Sequence, residues 1–280
     1  MMHPALDQAC GLRRMMRHGG VRVLPVFGTL DRLPAIVNLA SALSRTGQQV
    51  LVLDASRGEI APAFGLSARY ELKHVLEGEV ALSRALLTTS DGVQVLPAAR
   101  GIRMLCEARV SGLDFFESLA QKAAPVDLIM VNCESADRAV RLLPAHGEAL
   151  LVLSRGPNVF MEGAACLKAL AAQQAAARIR VLMMRSAFDE ARLAVKTLGR
   201  LACDKFDIEL VFGGNAPPHR TLWEAARVRR TLFDIDPLGP VTRSFNNTAA
   251  GVADWDLAEV APLRAAPVVP RDMRTVTKLH

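Results

Sequence analysis

A doubly wound α/β architecture, with a mainly parallel sheet of seven to eight strands and helices on both faces, is the fold class this 280-residue sequence predicts. Three observations predict it. Short apolar, β-branched runs recur along the chain. They are continuous rather than alternating, which is the pattern of strands covered on both faces. Stretches with helical periodicity lie between them, and such alternation builds βαβ units with right-handed crossovers.

The first strand is expected over residues 21–27. A helix over residues 33–44 follows, with Ile36, Val37, Leu39, Ala40 and Leu43 at helical spacing. Further strands are expected at residues 49–54, 93–96, 127–132, 149–153, 179–184 and 208–212. An Ala- and Leu-rich helix over 159–175 and a second over 188–202 complete the alternation. The two ends differ from this pattern. Residues 1–20 hold a short amphipathic stretch closed by Gly19-Gly20, and residues 263–280 carry Pro267, Pro270 and scattered charge without a sustained period. The expected organisation is therefore an N-terminal segment (1–20), an α/β domain (21–262) and a flexible C-terminal tail (263–280).

Composition narrows the function classes. A hydrophobic fraction of 51% excludes a disordered chain. No apolar run approaches the ~18 residues that span a bilayer. The N-terminus lacks the apolar core and small-residue cleavage site of a secretory signal, which predicts a cytoplasmic protein. Thirty-four Lys and Arg against 28 Asp and Glu leave a charge of +6, and only six of the positive residues are Lys. A basic excess can serve nucleic acid or anionic membrane, but here acidic residues are interspersed, as on a solvated surface. Cys10, Cys106, Cys133, Cys166 and Cys203 are far apart and lack metal-ligand spacing, so neither a zinc site nor a disulfide framework is expected. The six His are equally scattered, and no catalytic residue and no metal ligand can be assigned from spacing.

In a parallel α/β sheet, ligands bind beyond the carboxyl ends of the strands. A phosphate site after the first strand needs a Gly-rich loop, a Lys, and a Ser or Thr opening the helix. The sequence offers Phe27-Gly28-Thr29-Leu30-Asp31-Arg32-Leu33-Pro34. It has one Gly, no Lys, an added carboxylate at Asp31, and Leu33 where the hydroxyl belongs. Pro34 also removes a backbone donor. The first Lys of the chain is Lys73. This loop should hold a triphosphate poorly. Asp54, at the end of the second strand, suits a metal-bound water, a ribose or a helix cap. Asn132 ends the fourth long strand and cannot act as a carboxylate.

These residues resemble a known family, the FlhG/FleN (YlxH) branch of the MinD/ParA-type deviant Walker ATPases, which have a P-loop NTPase fold. The resemblance covers about residues 5–250. Its most specific element is Asp7-Gln8-Ala9-Cys10-Gly11-Leu12-Arg13, which matches the family's D-Q-A-x-x-L-R in full. Val37-Asn38-Leu39-Ala40, His74 to Glu79, Gly92 to Ala99 and Arg227 to Pro237 are also similar, the last looking like the family's final characteristic helix. The resemblance implies a cytoplasmic regulator of flagellar number and placement, recruited to the cell pole. It implies that Asp7, Gln8, Ala9, Leu12 and Arg13 dock as a helix on the signal-recognition-type GTPase FlhF and stimulate it, with Gln8 reaching the GTP site. Docking on a flagellar transcriptional activator, as in the FleN branch, is the other partner implied. An isolated helix this short is marginal in water, so folding on a partner is the physical expectation.

The departures from the family bear on ATP and Mg. The loop is a few residues shorter than the family's. Gly28 and Thr29 remain of it, Arg32 stands at the phosphate-binding Lys, and Leu33 stands at the Mg²⁺ hydroxyl. Of the family's D-A-D, Asp54 keeps the first carboxylate and Ser56 replaces the second; Asn132 replaces the switch Asp. Arg is no equivalent of Lys in a tight phosphate nest. The expectation is a degenerate pocket, a pseudo-ATPase needing no cofactor. An active ATPase, with Arg32 on the phosphates and ATP and Mg bound, is the alternative. A further one is non-specific DNA binding through Arg220, Arg227, Arg229 and Arg230. A homodimer, or a heterodimer with an intact relative, stays open. The tail lacks a basic amphipathic face, so no stable membrane anchor is expected.

Overall fold

The computed structural model describes residues 20–28, 31–123, 125–133, 138–144, 146–172 and 178–261. The N-terminal element with Asp7, Gln8, Ala9, Leu12 and Arg13, the loop residue Thr29 and the tail 263–280 lie outside the described residues.

In chain order the elements are β1 (Val21–Gly28), α1 (Arg32–Arg45), β2 (Val50–Asp54), α2 (Ile60–Ala63), α3 (Leu72–Leu76), α4 (Leu82–Ala85), β3 (Leu87–Thr88), β4 (Gln94–Pro97), α5 (Ala99–Glu107), α6 (Gly112–Lys122) and β5 (Leu128–Asn132). They continue with β6 (Ala149–Ser154), α7 (Val159–Ala172), β7 (Arg178–Met184), α8 (Phe188–Phe206), β8 (Glu209–Ala216), α9 (Arg220–Val228), α10 (Leu232–Ile235), α11 (Pro240–Gly251) and β9 (Ala258–Val260). A 3₁₀ turn at Arg138–Leu142 precedes β6.

The strands form one nine-stranded sheet in the order β3-β4-β2-β5-β1-β6-β7-β8, with β9 paired to β1. The long strands are parallel to one another. Only β3 and β9 run antiparallel. The sheet is eight strands across, as expected, and β9 adds a ninth strand without widening it, because it pairs the start of β1 on the side where β6 pairs the end. The short strands β3 and β9 lie outside the expected set, because two or three residues carry no readable period.

Strand side chains alternate between faces, so β1 feeds both cores. Val23 and Phe27 join the layer containing Ile129, Leu151 and Leu198, while Leu24 and Val26 join the layer containing Ile36, Leu39, Leu43 and Phe245. A strand lined on both sides is apolar along most of its length, which is why residues 23–27 of β1 read as a continuous run. The apolar face of α1 packs on the second layer. Truncating Leu39 there to Ala would cost about 2–5 kcal/mol in lost burial and cavity.

Residues 227–237 do not form the single helix the resemblance suggested. Arg229 is left-handed (φ 55) and ends α9. Thr231 and Asp234 then make a capping box that opens α10.

Candidate functional site

The carboxyl ends of β1, β2, β5, β6 and β7 meet beside the first turn of α1, where the sequence places the phosphate loop. Gly28 closes β1 with φ +146, and a Cβ there would collide with the carbonyl oxygen of Val152 on β6. Only glycine allows the two backbones this approach.

From this turn two polar networks spread over the strand ends. In the first, Arg32 is buried and points inward. Its Nε donates to Asn132 Oδ1 at 2.8 Å, and its NH1 donates to the Gly28 carbonyl at 3.0 Å. Asn132 passes the contact on through Nδ2, which donates to Asp54 Oδ1 at 2.9 Å and to Ser56 Oγ at 2.8 Å. Asp54 is completely buried. It also accepts from Ser56 Oγ at 3.1 Å, from Ser56 N at 3.3 Å and, on its other oxygen, from Ile60 N at 2.9 Å. Of the roles open to Asp54, it fills that of a local acceptor for the loop leading into α2.

The second network is built on Asp31, which precedes α1 but makes no side-chain cap to it. Its Oδ2 accepts from Ser154 Oγ and from Arg185 Nε, both at 2.6 Å. Arg185 is a left-handed non-glycine residue (φ 57) at the end of β7, and its guanidinium also stacks over the Trp223 ring at 5.1 Å. Behind it, Arg155 pairs with Glu190 at 2.6 Å.

The structure brings Gly28, Arg32, Asp54, Ser56 and Asn132 together through a chain of hydrogen bonds. Leu33 is separated from them and faces an apolar cleft on the other side of the turn. Sequence reasoning singled out Asp31 but missed its partners Ser154 and Arg185, which lie 123 and 154 residues away. Chemically, the site holds two cations, Arg32 and Arg185, and two carboxylates, Asp54 and Asp31. Among the described residues no group of His, Cys, Asp and Glu is arranged to hold a metal ion, and no helix is long and apolar enough to cross a membrane.

No family profile matches the chain. It is 26% identical to the antiactivator FleN of Pseudomonas aeruginosa over 236 residues, 82% of this chain and 84% of that protein. The fold is that of the MinD cell division protein of Aquifex aeolicus (TM-score 0.61, 18% identity, 84% of this chain and 99% of that one). A ParA family ATPase from Chlorobium tepidum shares it as well (TM-score 0.59, 16% identity, 83% and 99%). The sequence likeness is to FleN, and the solved structures share the fold. The curated relative and the fold agree with the motifs quoted above and support a place for the chain in the FlhG/FleN branch of the MinD/ParA family.

Proposed function

We propose that the chain is a FleN-like regulator of flagellar assembly that acts by docking on protein partners, and that its nucleotide pocket is degenerate. One observation carries this reading. Arg32, the cation at the position of the phosphate-binding Lys, is turned onto Asn132 and the Gly28 carbonyl. To meet a phosphate it would have to leave charge-assisted hydrogen bonds in a buried site, each worth about 1.5–3 kcal/mol. Other features point the same way. Leu33 offers no hydroxyl for Mg²⁺. Asp54 is saturated by donors from the chain itself. Asp31 holds the second cation of the site, Arg185, in an ion pair, so that this guanidinium too is engaged within the chain. Triphosphate binding in this fold draws on an amide nest, a cation and a metal together. The residues present do not fit ATP and Mg²⁺.

Without a nucleotide switch, regulation falls to binding. The likeness to a protein named an antiactivator favours a flagellar transcriptional activator as partner. The D-Q-A-x-x-L-R element favours an FlhF-type GTPase. The test mixes the purified chain with each. Association with the activator, or GTP turnover by FlhF raised by the chain and lost with Gln8→Ala, is the expected result. Neither effect, together with ATP hydrolysis by the chain, would overturn the reading in favour of an active ParA-type ATPase.

A further inference from the structure

A second recess lies on the far side of the α1 turn. It is a cleft of about 340 Å³, open on one side and walled by Leu33, Pro34 and Val37 of α1, Ala63 of α2, and Leu222 and Ala226 of α9. Val37 and Leu222 are buried and form its floor. The polar residue in the wall, Asn38, is already committed: Oδ1 accepts from Leu232 N and Nδ2 donates to the Pro34 carbonyl, both at 2.8 Å. The interior thus offers a ligand apolar contact and no hydrogen-bonding side chain that is not already engaged.

The rim is different. Arg229 and Arg230 stand at the mouth, with Glu59 as the opposing charge among the lining residues. Among the described residues, neither arginine makes an ion pair, nor does Arg227 one turn earlier. The arginines are not on a loose loop. The Arg229 N–H is bonded to the Ala226 carbonyl and the Arg230 N–H to the Ala225 carbonyl. The Arg229 carbonyl is packed so closely over Gly65 that a Cβ there would meet it at 3.0 Å. The roots of both side chains are fixed relative to the cleft.

We propose that this cleft docks an acidic segment of a protein partner, with one large apolar side chain seated between α1, α2 and α9 and flanking carboxylates on Arg229 and Arg230. The inference rests on the docking reading above and supplies the chemistry of one partner segment. Charge complementarity selects the flanks: unpaired guanidiniums bind carboxylates with geometric preference, and the apolar interior selects the anchor. The volume is at the small end of ligand pockets, which run from roughly 300 to 1,000 Å³, and suits one side chain carried by a larger partner. Nucleic acid would gain from the arginines but nothing from the apolar walls. The fixed backbone of the rim confines the ordering cost of binding to the arginine side chains.

The test is a random-peptide display selection on the full chain, followed by titration of the enriched peptides. Ala226→Trp fills the cleft from an exposed position. Arg229→Asp with Arg230→Glu reverses the rim, Asp being tolerated in a left-handed conformation. Enriched peptides are expected to carry an aromatic residue or Leu between Asp or Glu residues. Each variant is expected to weaken them by about tenfold or more, as loss of a hot-spot contact does, while its urea midpoint stays at the wild-type value. Four results would overturn the proposal. The selection could enrich basic or uncharged peptides, or only peptides indifferent to Ala226→Trp. Duplex DNA or anionic vesicles could bind with loss on charge reversal alone. A dimer in sedimentation could be dispersed by Ala226→Trp, assigning the cleft to a second copy. Titration with Mg·ATP bears on the pocket reading and not on the cleft, so the two can fail separately.

Discussion

On one side of the first turn of α1, Arg32 turns inward onto Asn132 and the Gly28 carbonyl; on the other, Leu33 and Pro34 wall a cleft whose rim arginines meet no carboxylate among the described residues. Two recesses that share a turn thus handle charge in opposite ways. In the strand-end recess, each cation is matched inside the protein: Arg32 reaches Asp54 through Asn132, and Arg185 reaches Asp31 directly. Buried charge matched in this way holds the strand ends together and is costly to disturb, because breaking one partner strands the other. The cleft leaves its cations in water, where they add little to stability and remain available to a partner. The contrast teaches that the recess that looks most like an inherited active site is where substitution should hurt folding. The plainer cleft beside it is where substitution should hurt binding.

That contrast can be broken by mutation, with the largest stability effect expected at Asp54. Asp54→Ala removes the acceptor for Ile60 N, both Ser56 donors and Asn132 Nδ2 at once, and should destabilise the chain by about 3 kcal/mol, read as a lower urea midpoint. A comparable loss of about 2–3 kcal/mol is expected for Gly28→Ala, from the collision with Val152 and the positive φ. Arg32→Leu should cost roughly 1–2 kcal/mol, since Asn132 Oδ1 and the Gly28 carbonyl each lose a donor. Arg229→Asp with Arg230→Glu should shift stability by no more than about 0.5 kcal/mol. If the rim reversal proved as damaging as Asp54→Ala, the division between the two recesses would fail. A sharper variant restores the missing chemistry: Arg32→Lys with Leu33→Thr should still give no heat with Mg·ATP, because Asp31, Ser56 and Asn132 remain. Saturable binding by that double variant would show that two side chains alone keep the nucleotide out.

How much of this could be read from the sequence follows from the range of the forces involved. The long strands are legible because burial on both faces leaves a continuous apolar run, as in residues 23–27. The pairing of Asp54 with Asn132 follows as soon as β2 is set beside β5, since the parallel register places the two residues opposite each other. Each stands out by itself, as a polar residue at a strand's carboxyl end and by the resemblance; their contact across 78 residues comes with the sheet order. The partners of Asp31 were beyond reach. Ser154 and Arg185 end strands that become neighbours of the loop only through the sheet order, and neither carries a local motif. The break between α9 and α10 was hidden for another reason. A left-handed arginine at position 229 is not what residue propensity favours, and tertiary packing over Gly65 accompanies it. The cleft itself could not be read, because its walls come from three elements far apart in the chain.

The central claim is that the strand-end recess is closed to nucleotide by the chain's own side chains. Isothermal titration of the full chain with Mg·ATP tests it most directly. The account predicts no saturable heat, from the wild type or from Arg32→Ala. Saturable binding in the micromolar range by the wild type, abolished by Arg32→Ala, would contradict it.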